Sequence, residues 1–179
     1  MITDKNRAQL KEFISEEKIQ NRILEIAKEI NAIFPKEEEL VVVAVLAGSI
    51  LFASDLVKRL DMAVQLEFVR LSSYGHDIKT SGTVKPVDLT LPSLEGKNVL
   101  IVEDIVDSGL TAKFILNYIK NQHKAGHVRF ATLLDKVCAR KEPVQIDFRG
   151  FEIDDKFVVG YGMDYKGYYR NLPYIGYFP

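Results

Sequence analysis

The 179-residue chain has no tryptophan, a single cysteine (Cys138) and only three histidines, and its net charge is −1. Each shortage excludes something. One cysteine cannot close an internal disulfide, which suits a reducing compartment and leaves the fold to its core. His76, His123 and His127 have no metal-ligand spacing. A charge near zero gives no bulk field to recruit nucleic acid or an acidic membrane. No apolar run approaches the roughly 18–20 residues that span a bilayer, and the first residues, MITDKNRAQLKEF, lack a signal core. A cytoplasmic globular protein is expected, one domain over residues 1–179.

What is present alternates. Ile19, Ile23, Ile26, Ala27, Ile30 and Ile33 recur at helical spacing, with Ser15 as N-cap and Pro35 as the stop. ELVVVAVLAGS (39–49) is a continuous apolar run, as in a strand buried on both faces, and 50–60 returns as an amphipathic helix. VQLEFVRLSS (64–73) alternates like a strand, whereas 74–86 is a long polar loop rich in Gly, Ser and Thr. Residues 84–91 read as an edge strand, because Pro86 cannot serve a central one. A strand over 98–102, a helix over 111–124 and strands over 127–136, 144–153 and 156–162 complete the pattern. Strand–helix alternation predicts an α/β fold: a central, mostly parallel sheet flanked by helices on both faces.

The chemistry concentrates in NVLIVEDIVDSGLT (98–111), where an apolar strand runs straight into Glu103, Asp104 and Asp107. In open α/β sheets ligands bind beyond the carboxyl ends of the strands. Gly109 permits a tight turn there, and the hydroxyls of Ser108 and Thr111 join the free amides of a helix N-terminus in an anion cradle. No Gly-Lys-Ser/Thr follows, so the cradle is not a Walker loop. Acids beside a phosphate cradle suit sugar hydroxyls and a divalent cation. Caps alone would explain Asp107 but not acids that directly continue an apolar strand.

VLIVEDIVDSGLT resembles the 5-phosphoribosyl-1-pyrophosphate (PRPP) motif of type I phosphoribosyltransferases, the hypoxanthine-guanine branch in particular. FVRLSSYG resembles that family's flexible catalytic loop, LLDK its purine-contacting lysine segment, and DKFVVGYGMDYKGYYRNLPYIG its base- and pyrophosphate-binding C-terminal region. The resemblance implies the type I fold, with a small hood formed by terminal segments, and transfer of ribose 5-phosphate from PRPP to a purine. It implies that Glu103 and Asp104 hold the ribose, directly or through Mg²⁺, and that Ser108, Gly109, Leu110 and Thr111 hold the 5′-phosphate. Asp107 would be the general base, Lys136 the donor to a 6-oxo group, Phe157 a stacking surface and Val158 a backbone contact. Ala47, Gly48 and Arg170 would meet pyrophosphate, Asp164 would bind metal at the purine side, and Ser73 and Tyr74 would open the closing loop. Ala47 and Leu110 depart from the family, which often carries basic or polar residues there.

On this resemblance the partners are PRPP and a 6-oxopurine, with no nucleic acid or membrane, in a homodimer or homotetramer. Alternatives are a regulator on the same fold that binds nucleotides or RNA, or a transferase preferring xanthine or a pyrimidine. The first should show a basic face, and no Lys/Arg cluster stands out. Lys136 favours a 6-oxo group and leaves the 2-position open.

Overall fold

The computed structural model describes residues 9–73 and 84–179. The elements are β1 (Lys11–Ile14), α1 (Glu16–Ile33), β2 (Glu39–Leu46), α2 (Ile50–Val57), β3 (Ala63–Ser73), β4 (Val84–Asp88), β5 (Asn98–Val106), α3 (Leu110–Asn117), β6 (His127–Asp135), β7 (Phe148–Glu152), β8 (Val158–Val159) and β9 (Ile175–Tyr177). A six-stranded sheet has the order β4-β3-β2-β5-β6-β7. Only β3–β4 is antiparallel in it. The edge position expected for the Pro86 strand is the one observed.

Alternate residues of the central strands feed opposite layers. Leu40, Val42 and Ala44 pack with Ile19, Ile23, Ile26 and Ile30 of α1 and Phe52 and Leu56 of α2. Val41, Val43 and Val45 pack with Ala112 and Ile115 of α3 and with Ile119. The helices therefore cover both faces, as the unbroken apolar runs require. Ser15 caps α1 through its hydroxyl, which accepts from the Lys18 amide at 3.4 Å. The second sheet, antiparallel in the order β1-β9-β8, joins the two terminal segments into the expected hood. No helix among the described residues is long and apolar enough to cross a membrane.

Several boundaries differ from the sequence reading. The strand expected over 98–102 runs on to Val106, so Glu103 and Asp104 are strand residues. The strand expected from 144 starts at Phe148, because Asp147 turns its carboxylate back onto the Phe130 amide at 2.8 Å. The 156–162 strand shrinks to two residues, cut short by the positive φ of Gly160, Tyr161 and Gly162. The helix expected over 50–60 ends at Val57. That expected over 111–124 closes as a π turn at Tyr118–Gln122, where the Tyr118 ring meets His123 edge-on at 5.0 Å.

Candidate active site

Parallel register brings the carboxyl ends of β2, β5 and β6 to one edge, with Val106 opposite Asp135. The turn after β5 carries Asp107 and Ser108, and Gly109 starts α3 at φ +84°. Lys136, immediately after β6, donates its backbone amide to the Val106 carbonyl at 2.9 Å. Its side chain is buried, only 8% exposed, yet its ammonium lies 4.0 Å from Asp107 Oδ2 and 3.4 Å from Asp155 Oδ1. The lysine is therefore not freely solvated. Asp107 itself is exposed.

Glu103 and Asp104 are consecutive residues near the carboxyl end of β5. Glu103 is 5% exposed, and its Oε2 has no hydrogen-bond partner. Burial first, then the neighbouring Asp104 charge, pushes its pKa well above the carboxylate range, against the pull of Arg140. Asp104 is raised to about 6, chiefly by burial; the backbone amides of Asp104 and Ile105 and the Arg170 charge oppose the shift, and Asp164 adds to it. Two unhappy carboxyls side by side are what a binding site leaves behind when its ligands are cationic or hydroxylic.

The other flank is built from backbone. Gly48 follows β2, and a Cβ there would sit 1.7 Å from Asp104 Oδ2. A Cβ on Gly162 would sit 2.0 Å from the Gly48 carbonyl. Arg170 donates to the Gly162 carbonyl at 2.6 Å and pairs with Asp164 at 2.7 Å. Thus Gly48, Asp104, Gly162, Asp164 and Arg170 converge, and Ala47 lies in the same turn. Its neighbour Ser49 is buried, with its hydroxyl on the Val45 carbonyl at 2.7 Å.

Gly48→Ala tests this contact. The added methyl must displace the Asp104 carboxylate, an overpacking that costs about 1–3 kcal/mol. The melting temperature should fall by several degrees while the far-UV spectrum stays unchanged. An unaltered melting temperature would contradict the packing.

Gly109 has a reason that sequence reasoning missed. A Cβ there would lie 2.6 Å from the Glu142 carbonyl, and the Lys141 and Glu142 amides donate to Ser108 O at 2.9 and 3.0 Å. The glycine is required by the loop packed against the turn as well as by any ligand, so Gly109→Val would strain the fold itself. Ser108 Oγ accepts from the Leu110 amide at 3.5 Å, and Thr111 lies half-buried in the first turn of α3. Phe157 is 57% exposed and meets Tyr165 edge to face at 5.6 Å, while Val158 behind it is buried. Phe157 is thus free of the core, as a stacking residue must be. Ser73 ends β3, and Tyr74 lies outside the described residues.

A family model described as a phosphoribosyl transferase domain matches residues 11–166. The chain belongs to the phosphoribosyltransferase family. Among relatives of this phosphoribosyltransferase is the hypoxanthine-guanine phosphoribosyltransferase of Bacillus subtilis (strain 168), 43% identical over 93% of this chain and 91% of that protein. The protein of the same name from Aquifex aeolicus (strain VF5) is 45% identical, over 93% of each chain. A crystal structure of a hypoxanthine phosphoribosyltransferase from Staphylococcus aureus matches with a TM-score of 0.89 at 37% identity, over 100% of this chain and 97% of that one. The α/β architecture is accordingly that of the family.

Sequence reasoning passed over Asp135, Arg140, Asp155 and Gly162. Asp135, Asp155 and Gly162 stood within the segments that carry the resemblance. Arg140 left only a faint signal, a basic residue four positions after a lysine at the carboxyl edge of the sheet.

Proposed function

We propose that this phosphoribosyltransferase, acting as one domain over residues 1–179, transfers the 5-phosphoribosyl group of PRPP to N9 of hypoxanthine and guanine. The products are IMP or GMP and pyrophosphate, which places the enzyme in purine salvage. The observation that carries this reading is the buried Lys136, whose ammonium stands beside Asp107 at the edge where β5 and β6 end. The names of the relatives support it.

In the reaction the bond from C1′ to pyrophosphate breaks as the bond from C1′ to N9 forms, and the ribose ring gains positive charge between them. Asp107 takes the proton from N7 as N9 attacks, a general-base role. Lys136 donates to O6 and orients the base, with Phe157 stacked on its face and Val158 at its edge. The α3 N-terminus, with Ser108, Gly109, Leu110 and Thr111, holds the 5′-phosphate. Asp104, charged at neutral pH, faces the ribose with Glu103 and steadies the developing cation. Ala47, Gly48 and Arg170 receive the pyrophosphate.

No group of three or more His, Cys, Asp or Glu side chains forms a metal cage among the described residues. The unpartnered Glu103 oxygen, with Asp104 beside it, fits an ion that brings most of its ligands with the substrate. Glu103, Asp104 and Asp164 would hold Mg²⁺, which when bound supplies charge neutralisation for the pyrophosphate. The enzyme is cytoplasmic and works as a homodimer or homotetramer.

The test is nucleotide formation from PRPP with hypoxanthine, guanine, xanthine, adenine and uracil in parallel. Hypoxanthine and guanine should be used and adenine and uracil refused; turnover of adenine but not hypoxanthine would overturn the assignment of Lys136. Excess chelator should abolish turnover and added Mg²⁺ or Mn²⁺ restore it. Full activity in verified absence of divalent metal would remove the ion from the scheme.

A further inference from the structure

Asp135, the last residue of β6, is a carboxylate with 1% exposure. Arg149 Nε lies 2.8 Å from its Oδ2, without a well-aligned hydrogen bond. Arg140 supplies the hydrogen bond, from Nη2 to Oδ1. The same guanidinium reaches past the carboxylate to the neighbouring strand end. Its Nε donates to the Asp107 carbonyl at 3.1 Å, and Nη2 also points at the Val106 carbonyl at 3.4 Å. Lys136 N–H also donates to that Val106 carbonyl, at 2.9 Å. One planar fork, seated on one buried anion, therefore ties the turn that carries Asp107 to the strand end that carries Lys136.

A lone buried carboxylate is costly, so Asp135 fixes where the guanidinium stands. The guanidinium in turn fixes two carbonyls of the turn, because its donors lie in a rigid plane. The consequence is the 4.0 Å separation of Lys136 Nζ and Asp107 Oδ2. N7 and O6 of a 6-oxopurine lie side by side on one edge of the base. They need their proton acceptor and their donor side by side as well.

We infer that Arg140, anchored on Asp135, is a positioning residue that sets the spacing of Asp107 and Lys136 for the N7/O6 edge of the purine. The inference rests on the transferase reading above. Arg140 acts on the site through the backbone of Asp107. Its side chain also packs beside Gly109, with Cδ 2.8 Å from where a Cβ on that glycine would stand, while the Ser108 carbonyl of the cradle turn is held by the Lys141 and Glu142 amides.

The test is a double-mutant cycle between Arg140 and Asp107, with Arg140→Ala and Arg140→Lys each made alone and together with Asp107→Asn. A misplacement of about 1 Å is typically worth on the order of 10²-fold in rate. Arg140→Ala should therefore lower kcat with hypoxanthine by roughly 10- to 100-fold and raise the KM for hypoxanthine, with a smaller loss of PRPP affinity. Lysine keeps the charge opposite Asp135 but lacks the fork, so Arg140→Lys should recover thermal stability and not kcat. In the Asp107→Asn background either substitution should cost little further kcat, because the group it positions is already disabled.

A merely structural arginine would behave otherwise. Losses that multiply fully in the double variant, or kcat restored by Arg140→Lys, would overturn the inference. If Arg140→Ala fails to fold, the lysine variant carries the cycle alone. Wild-type enzyme that forms no IMP would sink the transferase reading, and the inference with it; active wild type with multiplicative losses would sink only the inference.

Discussion

Asp107→Asn should lower kcat for hypoxanthine by about 10²- to 10⁴-fold, the usual worth of a general base, and leave PRPP affinity nearly intact. The amide keeps the size and the hydrogen bonds of the carboxylate but cannot take the N7 proton. On the proposed function, the exposure of Asp107 and the Lys136 ammonium 4.0 Å away suit a base that relieves N7 of its proton while the lysine steadies O6. PRPP affinity is spared because the cradle amides belong to the backbone of α3. Steady-state kinetics with hypoxanthine and a PRPP titration on the one variant separate these effects. A large loss of PRPP affinity with normal kcat would make Asp107 a binding or capping residue.

Asp104→Asn should do the opposite to stability and to function. The Asp104 carboxyl is raised from 3.8 to about 6 in the folded protein, first by burial. A raised folded-state pKa means that the folded form binds the proton more tightly than the unfolded chain. Its stabilising share is complete below 3.8 and is lost as pH rises through about 6, where the folded state must hold a poorly solvated charge. At about 1.4 kcal/mol per unit, and with the group still partly reached by solvent, the penalty at neutral pH is about 1–3 kcal/mol. Asparagine removes it. The Tm at pH 7 should rise by several degrees, and that gain should shrink towards nothing at pH 4, while PRPP binding collapses. A variant less stable than wild type at pH 7 would contradict this origin of the shift. On the proposed function, the crowding of acids at the end of β5 is a stability cost accepted for a site where a divalent metal and a cationic transition state would bring the missing positive charge.

The parts of the fold that were legible depend on local physics. Ser15, the isoleucine stripe and Pro35 specify α1 within one short stretch, and the unbroken apolar runs of β2 and β5 announce strands buried on both faces. The hood is different. Its β1, β8 and β9 have four, two and three residues, and β1 pairs with β9 across nearly the whole chain. No window contains both partners, so the hood was visible only through the family resemblance. The same holds within the site. The motif marked Glu103, Asp104 and Asp107, yet it could not show that Gly48 is shaped by Asp104, or that Gly109 is shaped by the Glu142 carbonyl. Lys136 was marked as a base contact only through the resemblance, because from its position alone a charged side chain is as readily solvated. Its burial follows from the loop of residues 136–142, which folds back over the end of β5.

The most direct measurement is the stoichiometry of the wild-type reaction with PRPP, hypoxanthine and Mg²⁺, resolved chromatographically. One IMP and one pyrophosphate should appear for each PRPP consumed, with no free ribose 5-phosphate. PRPP bound but never consumed, or hydrolysed to ribose 5-phosphate without IMP, would contradict transfer to the purine as the function of this site.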